Sequence, residues 1–169
     1  MLTKNFYSYI KSSFNAGDGT AIFKLPNGNI LTSYITTGHK PPFSVMNVWA
    51  KQVDNYGVSF GTGTTPATAS DYCLESILGT TQISVTVPSA VTFSRGDTFD
   101  EYSVTFGITN ITTEAITISE AGLTAMPFKG NPNHYALVDR TVLDTPVTIP
   151  AGQSKQITYT IRFNYGDAV

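Results

Sequence analysis

Several stretches of the chain alternate apolar and polar residues with a period of two. The longest lies at residues 156–163, where Ile157, Tyr159, Ile161 and Phe163 alternate with Gln, Thr and Arg residues. Side chains of a β-strand point alternately to its two faces, so this pattern predicts a strand with one buried and one solvent-facing side. One-sided burial is typical of antiparallel sheets. Shorter stretches of the same kind lie at 83–87, 102–108, 116–119 and 147–149.

Turn sequences separate these stretches, for example at residues 110–114 and 150–153. Alternating strands joined by short turns predict a β-sandwich, and the segment from about 80 to 163 is typical of an immunoglobulin-like unit. We therefore predict a mostly β fold, an antiparallel immunoglobulin-like β-sandwich with a short N-terminal helix. The chain has a single cysteine, Cys73, which cannot form an intramolecular disulfide. Any likeness to immunoglobulin domains is therefore one of architecture alone.

The N-terminal segment has the periodicity of a helix. Leu2, Phe6, Ile10 and Phe14 recur every four residues, which places them on one helical face, and Thr3 is positioned to cap the helix start. A helix of this length is marginal alone and needs an apolar surface to lie on. Its apolar face either packs on its own domain or docks onto a partner. Leu2, Phe6, Ile10 and Phe14 are therefore the candidate assembly contacts.

The first third of the chain adds further strands. Apolar residues at 21–25 and 30–35 flank the turn sequence Pro-Asn-Gly-Asn and predict a hairpin. A length of 169 residues is typical of one domain. We predict that residues 1–60 form the helix and additional strands packed on the sandwich, that residues 61–169 form the sandwich, and that the whole is one compact domain.

Composition and charge exclude several classes of function. The formal net charge is −2, so the chain lacks the concentrated basic charge of a nucleic-acid-binding protein. No apolar run approaches the ~20 residues of a membrane span. Charged residues make up 13% of the chain, well below the ~25% typical of globular domains. Few charges therefore protect the sheet edges, which favours pairing with neighbouring molecules.

One sequence motif could indicate a hydrolase. Gly57-Val58-Ser59-Phe60-Gly61 matches the nucleophile-elbow pattern, in which a strand turns sharply into a helix and exposes the serine. The residues that follow, Thr-Gly-Thr-Thr-Pro, cannot open that helix. We therefore interpret Ser59 as the solvent-facing residue of a strand, between Val58 and Phe60.

The other candidate sites also lack the pattern that their chemistry needs. The glycine-rich residues 61–66 have no Gly-Lys-Ser/Thr ending to bind phosphate and are predicted to form a loop. Arg95-Gly96-Asp97 is predicted to be a turn rather than an adhesion motif. Asp97, Asp100 and Glu101 lack the spacing of a calcium loop, and His39 and His134 are too far apart to suggest a metal site. We predict no catalytic, cofactor-binding or metal-binding residues, and no enzyme.

The longer patterned segments carry a resemblance to a known group of proteins. They are residues 1–7, residues 60–66 leading to 71–75, residues 106–110 with 116–123, and residues 137–143 followed by 146–152. They resemble segments of the small β-rich virion structural proteins of tailed bacteriophages, the accessory proteins of tails, fibres and capsid decoration. The resemblance implies a non-enzymatic β-sandwich without a cofactor. It also implies assembly into the virion, in the host bacterial cytoplasm, through contacts with copies of itself and with other capsid or tail proteins.

A second class of function is a surface-displayed β-sandwich module that binds a glycan or a receptor. Sugar recognition uses exposed aromatic rings flanked by polar groups, and the chain is rich in aromatic residues. The candidates are Trp49, Tyr56, Tyr72, Tyr102 and Tyr135. Packing in the core is the alternative interpretation for most of them, because aromatic side chains bury large areas there.

Overall fold

The computed structural model describes residues 1–8, 20–34, 57–86, 91–125 and 136–164. These residues form one short helical segment, at positions 4–8, and nine strands. The strands are β1 (Thr20–Lys24), β2 (Ile30–Tyr34), β3 (Gly57–Gly61), β4 (Ile83–Thr86), β5 (Val91–Arg95), β6 (Phe99–Asn110), β7 (Ile116–Ala125), β8 (Ala136–Ile149) and β9 (Ser154–Asn164).

The strands form three antiparallel sheets. One is the β1–β2 hairpin, and the second is a three-stranded sheet in the order β3–β7–β8. In the third, four-stranded sheet, β6 is central and pairs with β9 along residues 99–109. β4 pairs with residues 107–110 of β6 and β5 with residues 100–104, so both lie on the side of β6 opposite β9.

The three-stranded and four-stranded sheets share one hydrophobic core. Phe60 of β3 meets Phe106 of β6 edge-on, with the ring centroids 5.7 Å apart, which is a favoured aromatic geometry. β9 buries Ile157, Tyr159 and Ile161 in this core and exposes the residues between them. The predicted period of two is therefore confirmed in β9. The prediction of a mostly β, antiparallel fold with a short N-terminal helix is confirmed as well.

Two of the predicted turns are confirmed by backbone conformation. Gly28 has φ +83° between β1 and β2, and Gly152 has φ +68° between β8 and β9. Residues other than glycine rarely adopt this left-handed conformation, which explains the glycine in each turn sequence. A Cβ added to either glycine would have no heavy atom within 4 Å, so conformation rather than space requires the glycine.

The N-terminal segment lies against the outer edge of β8. The Thr3 N–H donates to the Val138 carbonyl (3.0 Å), and Leu2 forms an isolated β-bridge with Asp139. The Thr3 hydroxyl donates to the Leu137 carbonyl at 2.6 Å. Thr3 lies directly before the helical residues 4–8, and its carbonyl accepts the N–H of Phe6 at 3.1 Å, so it occupies the predicted helix start while its hydroxyl bonds to the strand.

The candidate assembly contacts are partly accounted for by the chain's own core. Phe6 is 6% exposed and belongs to the shared core, where it stacks on Phe163 at 6.2 Å, and Leu2 is partly buried against the same core. A partner could reach Phe6 only if this segment left the core. Ile10 and Phe14 lie outside the described residues.

The predicted division of the chain at residues 60 and 61 falls inside β3. All five residues of β3 are buried, and the strand pairs along its whole length with β7. The N-terminal residues are also tied to the β1–β2 hairpin, because the Asn5 side chain bonds both the N–H and the carbonyl of Lys24. Among the helical residues that the structure describes, none belongs to a helix long and apolar enough to cross a membrane.

Candidate functional site

The segment at residues 62–78 folds back over the face of the three-stranded sheet that points away from the core; we call it the covering segment. Its two ends meet each other, because the Thr62 N–H donates to the Ser76 carbonyl, and its last residue pairs with β3, because the Leu78 N–H donates to the Phe60 carbonyl; both bonds are 2.9 Å long. Within this segment, Leu74 is buried beside Gly122 of β7. The covering segment contains most of the glycine- and threonine-rich sequence.

This arrangement corrects the interpretation of Ser59. Ser59 is 6% exposed and therefore does not face solvent. An alternating sequence such as that of β3 gives alternating burial only where one face of the sheet is open to water. Because the covering segment closes the second face, both faces of β3 are buried.

A buried carboxylate on β7 holds the covering segment. Glu120 is fully buried. Its Oε1 accepts the N–H groups of Gly63 (3.2 Å) and Ser76 (2.8 Å), and its Oε2 accepts the N–H of Glu75 (3.2 Å). Three backbone N–H groups of the covering segment thus bond to one buried side chain.

Arg140 of β8 completes the cluster. It is 3% exposed, and its Nε donates to Glu120 Oε2 at 2.8 Å. Nη1 donates to Asp71 at 2.8 Å, and Nη2 lies 3.5 Å from the Glu75 carboxylate. Nη2 has no hydrogen-bond partner among the described residues. One guanidinium therefore links the sheet to two carboxylates of the covering segment.

The two acidic residues of the covering segment also tie down its threonines. Glu75 accepts the N–H and the hydroxyl of Thr65, both at 2.9 Å. Asp71 accepts the N–H of Thr68 at 2.9 Å and its hydroxyl at 2.8 Å. The backbone conformation of the covering segment is therefore fixed at several points along its length.

Glycine is required at two positions because the carboxylate of Glu120 lies so close. A Cβ on Gly61 would be 2.5 Å from Glu120 Oε1 and from the Ser76 carbonyl oxygen. A Cβ on Gly63 would be 2.6 Å from the same carboxylate oxygen. The glycine-rich sequence 61–66, predicted to be a loop, is one from residue 62 onward, because Gly61 is the last residue of β3, and both of its glycines make room for the buried anion.

The cluster shifts the pKa values of its members. Burial alone would raise the pKa of Asp71, but the N–H of Thr68 and the guanidinium of Arg140 outweigh it and lower the pKa below its usual range. The N–H and hydroxyl of Thr65 lower the pKa of Glu75. Burial would lower the pKa of Arg140, but its bonds to Asp71 and Glu120 raise it. All three shifts favour the charged forms.

We expect the free energy of unfolding to decrease as the pH falls below about 4.5. A carboxyl whose pKa is lower in the folded chain binds fewer protons there than in the unfolded chain, so acid favours unfolding. The decrease begins near the ordinary pKa of Glu75, 4.5, continues through that of Asp71, 3.8, and ends once both protonate in the folded state. Urea denaturation between pH 6 and pH 3 measures it.

The variant Asp71→Asn should show a smaller decrease over the same pH range, because one of the titrating groups is gone. Asp144→Asn, which removes an exposed carboxylate from β8, is the matched control for loss of one negative charge. An Asp71→Asn protein with the same acid sensitivity as the wild type would contradict the assignment.

A second buried cluster lies on the core side of β8. The Tyr159 hydroxyl donates to Asp139, and the ammonium nitrogen of Met1 lies 3.0 Å from the same carboxylate. Burial raises the pKa of Tyr159 well above its usual range, and the neighbouring Asp139 raises it further. The tyrosine therefore remains a neutral hydrogen-bond donor that fixes the carboxylate in the core.

Two acidic residues near the start of β6 form ion pairs with arginines of the neighbouring strands in the four-stranded sheet. Asp100 pairs with Arg95 at 2.7 Å and Glu101 with Arg162 at 2.6 Å. The predicted turn at residues 95–97 is confirmed, because the Gly96 N–H donates to the Phe99 carbonyl at 2.9 Å.

Among the described residues, no group of three or more His, Cys, Asp or Glu side chains could hold a metal ion. His39 and His134 lie outside these residues.

An exposed aromatic pair lies at one end of the four-stranded sheet. Phe93 is 49% exposed and Tyr102 is 43% exposed, and their ring centroids are 5.1 Å apart. Of the other predicted aromatic candidates, Tyr72 is half-buried beneath the Lys24 ammonium, 3.8 Å from the ring centroid. Trp49, Tyr56 and Tyr135 lie outside the described residues.

The outer face of the four-stranded sheet is covered by hydroxyl groups that pair between strands. Ser103 meets Thr160 at 2.9 Å, Thr105 meets Thr158 at 2.9 Å, and Thr109 meets Ser154 at 2.7 Å. Such cross-strand pairs contribute roughly 0.2–1 kcal/mol each. The polar positions of the alternating stretches thus form regular rows on one surface.

Glu120 and Arg140 are the residues of the candidate site that sequence reasoning missed. If the alternation of Ile116 and Ile118 continued, Glu120 would lie on the core face, and none of the alternating stretches includes Arg140. The available signal is the sequence Ser-Glu-Ala-Gly at 119–122, where the strict alternation of 116–119 ends. The structure places a register shift between Ile118 and Glu120 there, which turns the carboxylate toward the covering segment.

The arrangement can hold a loop rigidly, and its groups are occupied in doing so: both oxygens of Glu120 accept hydrogen bonds. It therefore offers a surface of fixed shape. Comparison of the chain with protein-family models, with curated proteins and with solved structures found no match.

Proposed function

We propose that the chain is a non-enzymatic structural component of a bacteriophage virion, a capsid decoration protein or an accessory protein of the tail or fibre. In this proposal it is assembled in the host bacterial cytoplasm and acts through contacts with other virion proteins and with its own copies. We also propose that the three-stranded and four-stranded sheets form an immunoglobulin-like β-sandwich.

The observation that carries the proposal is the rigid support of the covering segment. Thr62, Thr64 and Pro66 are exposed, while the backbone N–H groups between them are held by carboxylates, that of Gly63 by Glu120 and that of Thr65 by Glu75. A surface that is already ordered before binding loses little conformational entropy when it forms a contact. The same segment is one of those that resemble the phage virion proteins, so sequence and geometry favour the same contact surface.

We expect a substitution on this surface to weaken incorporation into particles without unfolding the protein. Thr64→Arg places a long charged side chain on the exposed loop, and Thr113→Arg makes the same change in the exposed turn between β6 and β7. Purified particles of the phage that encodes the chain would be assayed for copy number by quantitative mass spectrometry. Cross-linking of the same particles would identify the neighbouring proteins.

Absence of the chain from purified particles would overturn the proposal. Normal incorporation of Thr64→Arg would show that the covering segment is not the contact surface. Deletion of the N-terminal segment is a poor test of attachment, because Phe6 belongs to the core and its loss would destabilise the fold.

A second candidate function, recognition of a glycan or receptor, is favoured by the exposed pair of Phe93 and Tyr102. Aromatic rings at this exposure offer a platform for the apolar face of a sugar. Binding on a glycan array that Tyr102→Ala abolishes would support this function. Ile111→Ala, which removes another exposed apolar side chain just beyond the opposite end of β6, is the control. Equal binding by both variants would contradict it.

A further inference from the structure

The sheet edges in the described part of the chain differ in how they are protected. The outer edge of β3 pairs with residues 76–78 of the covering segment. The outer edge of β8 is covered by residues 1–3 at one end and interrupted by Pro146 further along. β4 and β5 have four and five residues. Coverage, proline and short length are all devices that prevent edge-to-edge pairing.

In the described part of the chain, β9 shows none of these devices along residues 154–162. It has 11 residues, contains no proline, and pairs with β6 without a register shift. Among the residues that the structure describes, no strand pairs with its outer edge. Its one charged residue before Arg162 is Lys155, and Arg162 is neutralised by Glu101. A strand of this length leaves a row of backbone donors and acceptors available to another strand.

We infer that residues 154–162 of β9 pair antiparallel with the same residues of a second copy of this chain, about a two-fold axis near Thr158. The two four-stranded sheets then form one continuous sheet across the axis. This inference rests on the proposed function, because it names the surface through which identical copies would assemble.

The charges of the strand suit pairing with itself. With Thr158 on the axis, each Lys155 lies opposite Ile161 of the second copy, and the two lysines are six residues apart along the strands. At ~3.4 Å per residue this separation is about 20 Å. Charges that far apart are screened at physiological ionic strength, where the Debye length is about 8 Å. Arg162, which is bonded to Glu101, lies opposite Ser154 of the second copy and on the other face of the sheet from Lys155, so self-pairing places no two positive side chains side by side on one face.

The hydroxyl groups on the outer face of the four-stranded sheet also suit the pairing of β9 with a second copy of itself. Thr158 would face its own copy across the axis, and Gln156 would face Thr160. The same kind of contact already joins β6 to β9, where Thr105 meets Thr158 at 2.9 Å. A hydroxyl that makes one such bond keeps a further acceptor position, so the row of hydroxyl pairs can continue across the axis.

The test is the oligomeric state of the full chain, measured by analytical ultracentrifugation at protein concentrations of roughly 1–100 µM, which cover a dimer Kd in the micromolar range. We expect twice the monomer mass of 18.2 kDa at the upper end. Thr158→Lys places two ammonium groups face to face on the axis and should raise the dimer Kd at least about tenfold. Thr86→Lys, on the exposed face of β4, is the matched control and should leave Kd unchanged.

A second variant tests the register independently of charge. Thr158→Cys, made with Cys73→Ser, should form a disulfide-linked dimer under mild oxidation, whereas Ser84→Cys in the same background should not. A wild-type chain that is monomeric throughout, or a Thr158→Lys dimer with wild-type Kd, would overturn the inference. Particle incorporation is measured separately, so a monomer that still joins particles overturns the edge pairing and leaves the proposed function standing.

Discussion

Glu120→Gln is expected to lower the free energy of unfolding by about 3–5 kcal/mol, the usual effect of removing one partner from a buried ion pair. The carboxylate is fully buried and accepts bonds from the N–H groups of Gly63, Glu75 and Ser76 as well as from Arg140. A glutamine side chain must turn its NH2 group toward some of these donors. It also leaves the buried guanidinium without the fully buried one of its two nearest counter-charges.

Urea denaturation measures the loss, and hydrogen exchange locates it. The amides of Gly63, Glu75 and Ser76 should lose protection beyond what global unfolding explains, because the covering segment opens locally. Glu114→Gln changes an exposed carboxylate in the turn after β6 and should stay within about 0.5 kcal/mol of the wild type. If Glu120→Gln is equally stable, the cluster does not hold the covering segment.

The strand pattern was predictable from sequence where one face of a sheet is open to water. In β9 the core residues Ile157, Tyr159 and Ile161 alternate with exposed polar residues, so the local sequence is enough to predict both the strand and its buried face. The glycine turns at Gly28 and Gly152 were predictable for the same reason, since the need for a positive φ is local.

The candidate site was not predictable, because it depends on contacts between distant segments. Glu120 is 57 residues from Gly63 and 45 from Glu75 in the sequence. The sequence of β7 alone does not reveal that another segment closes over this strand. The prediction that Ser59 faces solvent is wrong for the same reason. Glycine and threonine in residues 61–66 predict a loop but not the anion that determines where the glycines must be.

Gly61→Ala is expected to lower the free energy of unfolding by about 3 kcal/mol, the upper end of what overpacking usually does to a core. The new Cβ would lie 2.5 Å from both Glu120 Oε1 and the Ser76 carbonyl oxygen. The carbonyl belongs to the backbone pairing of Thr62 with Ser76, so neither neighbour can move without breaking a hydrogen bond. Thermal and urea denaturation measure the loss.

Gly107→Ala on β6 is the matched control. Its Cβ would meet Thr86 at 3.5 Å, an ordinary contact, so the variant should be as stable as the wild type or more stable by about 0.5–1 kcal/mol. In the double variant Gly61→Ala/Glu120→Gln, the two losses should be less than additive, because both act through the same carboxylate. Fully additive losses would show that Gly61 is required for a reason unrelated to Glu120.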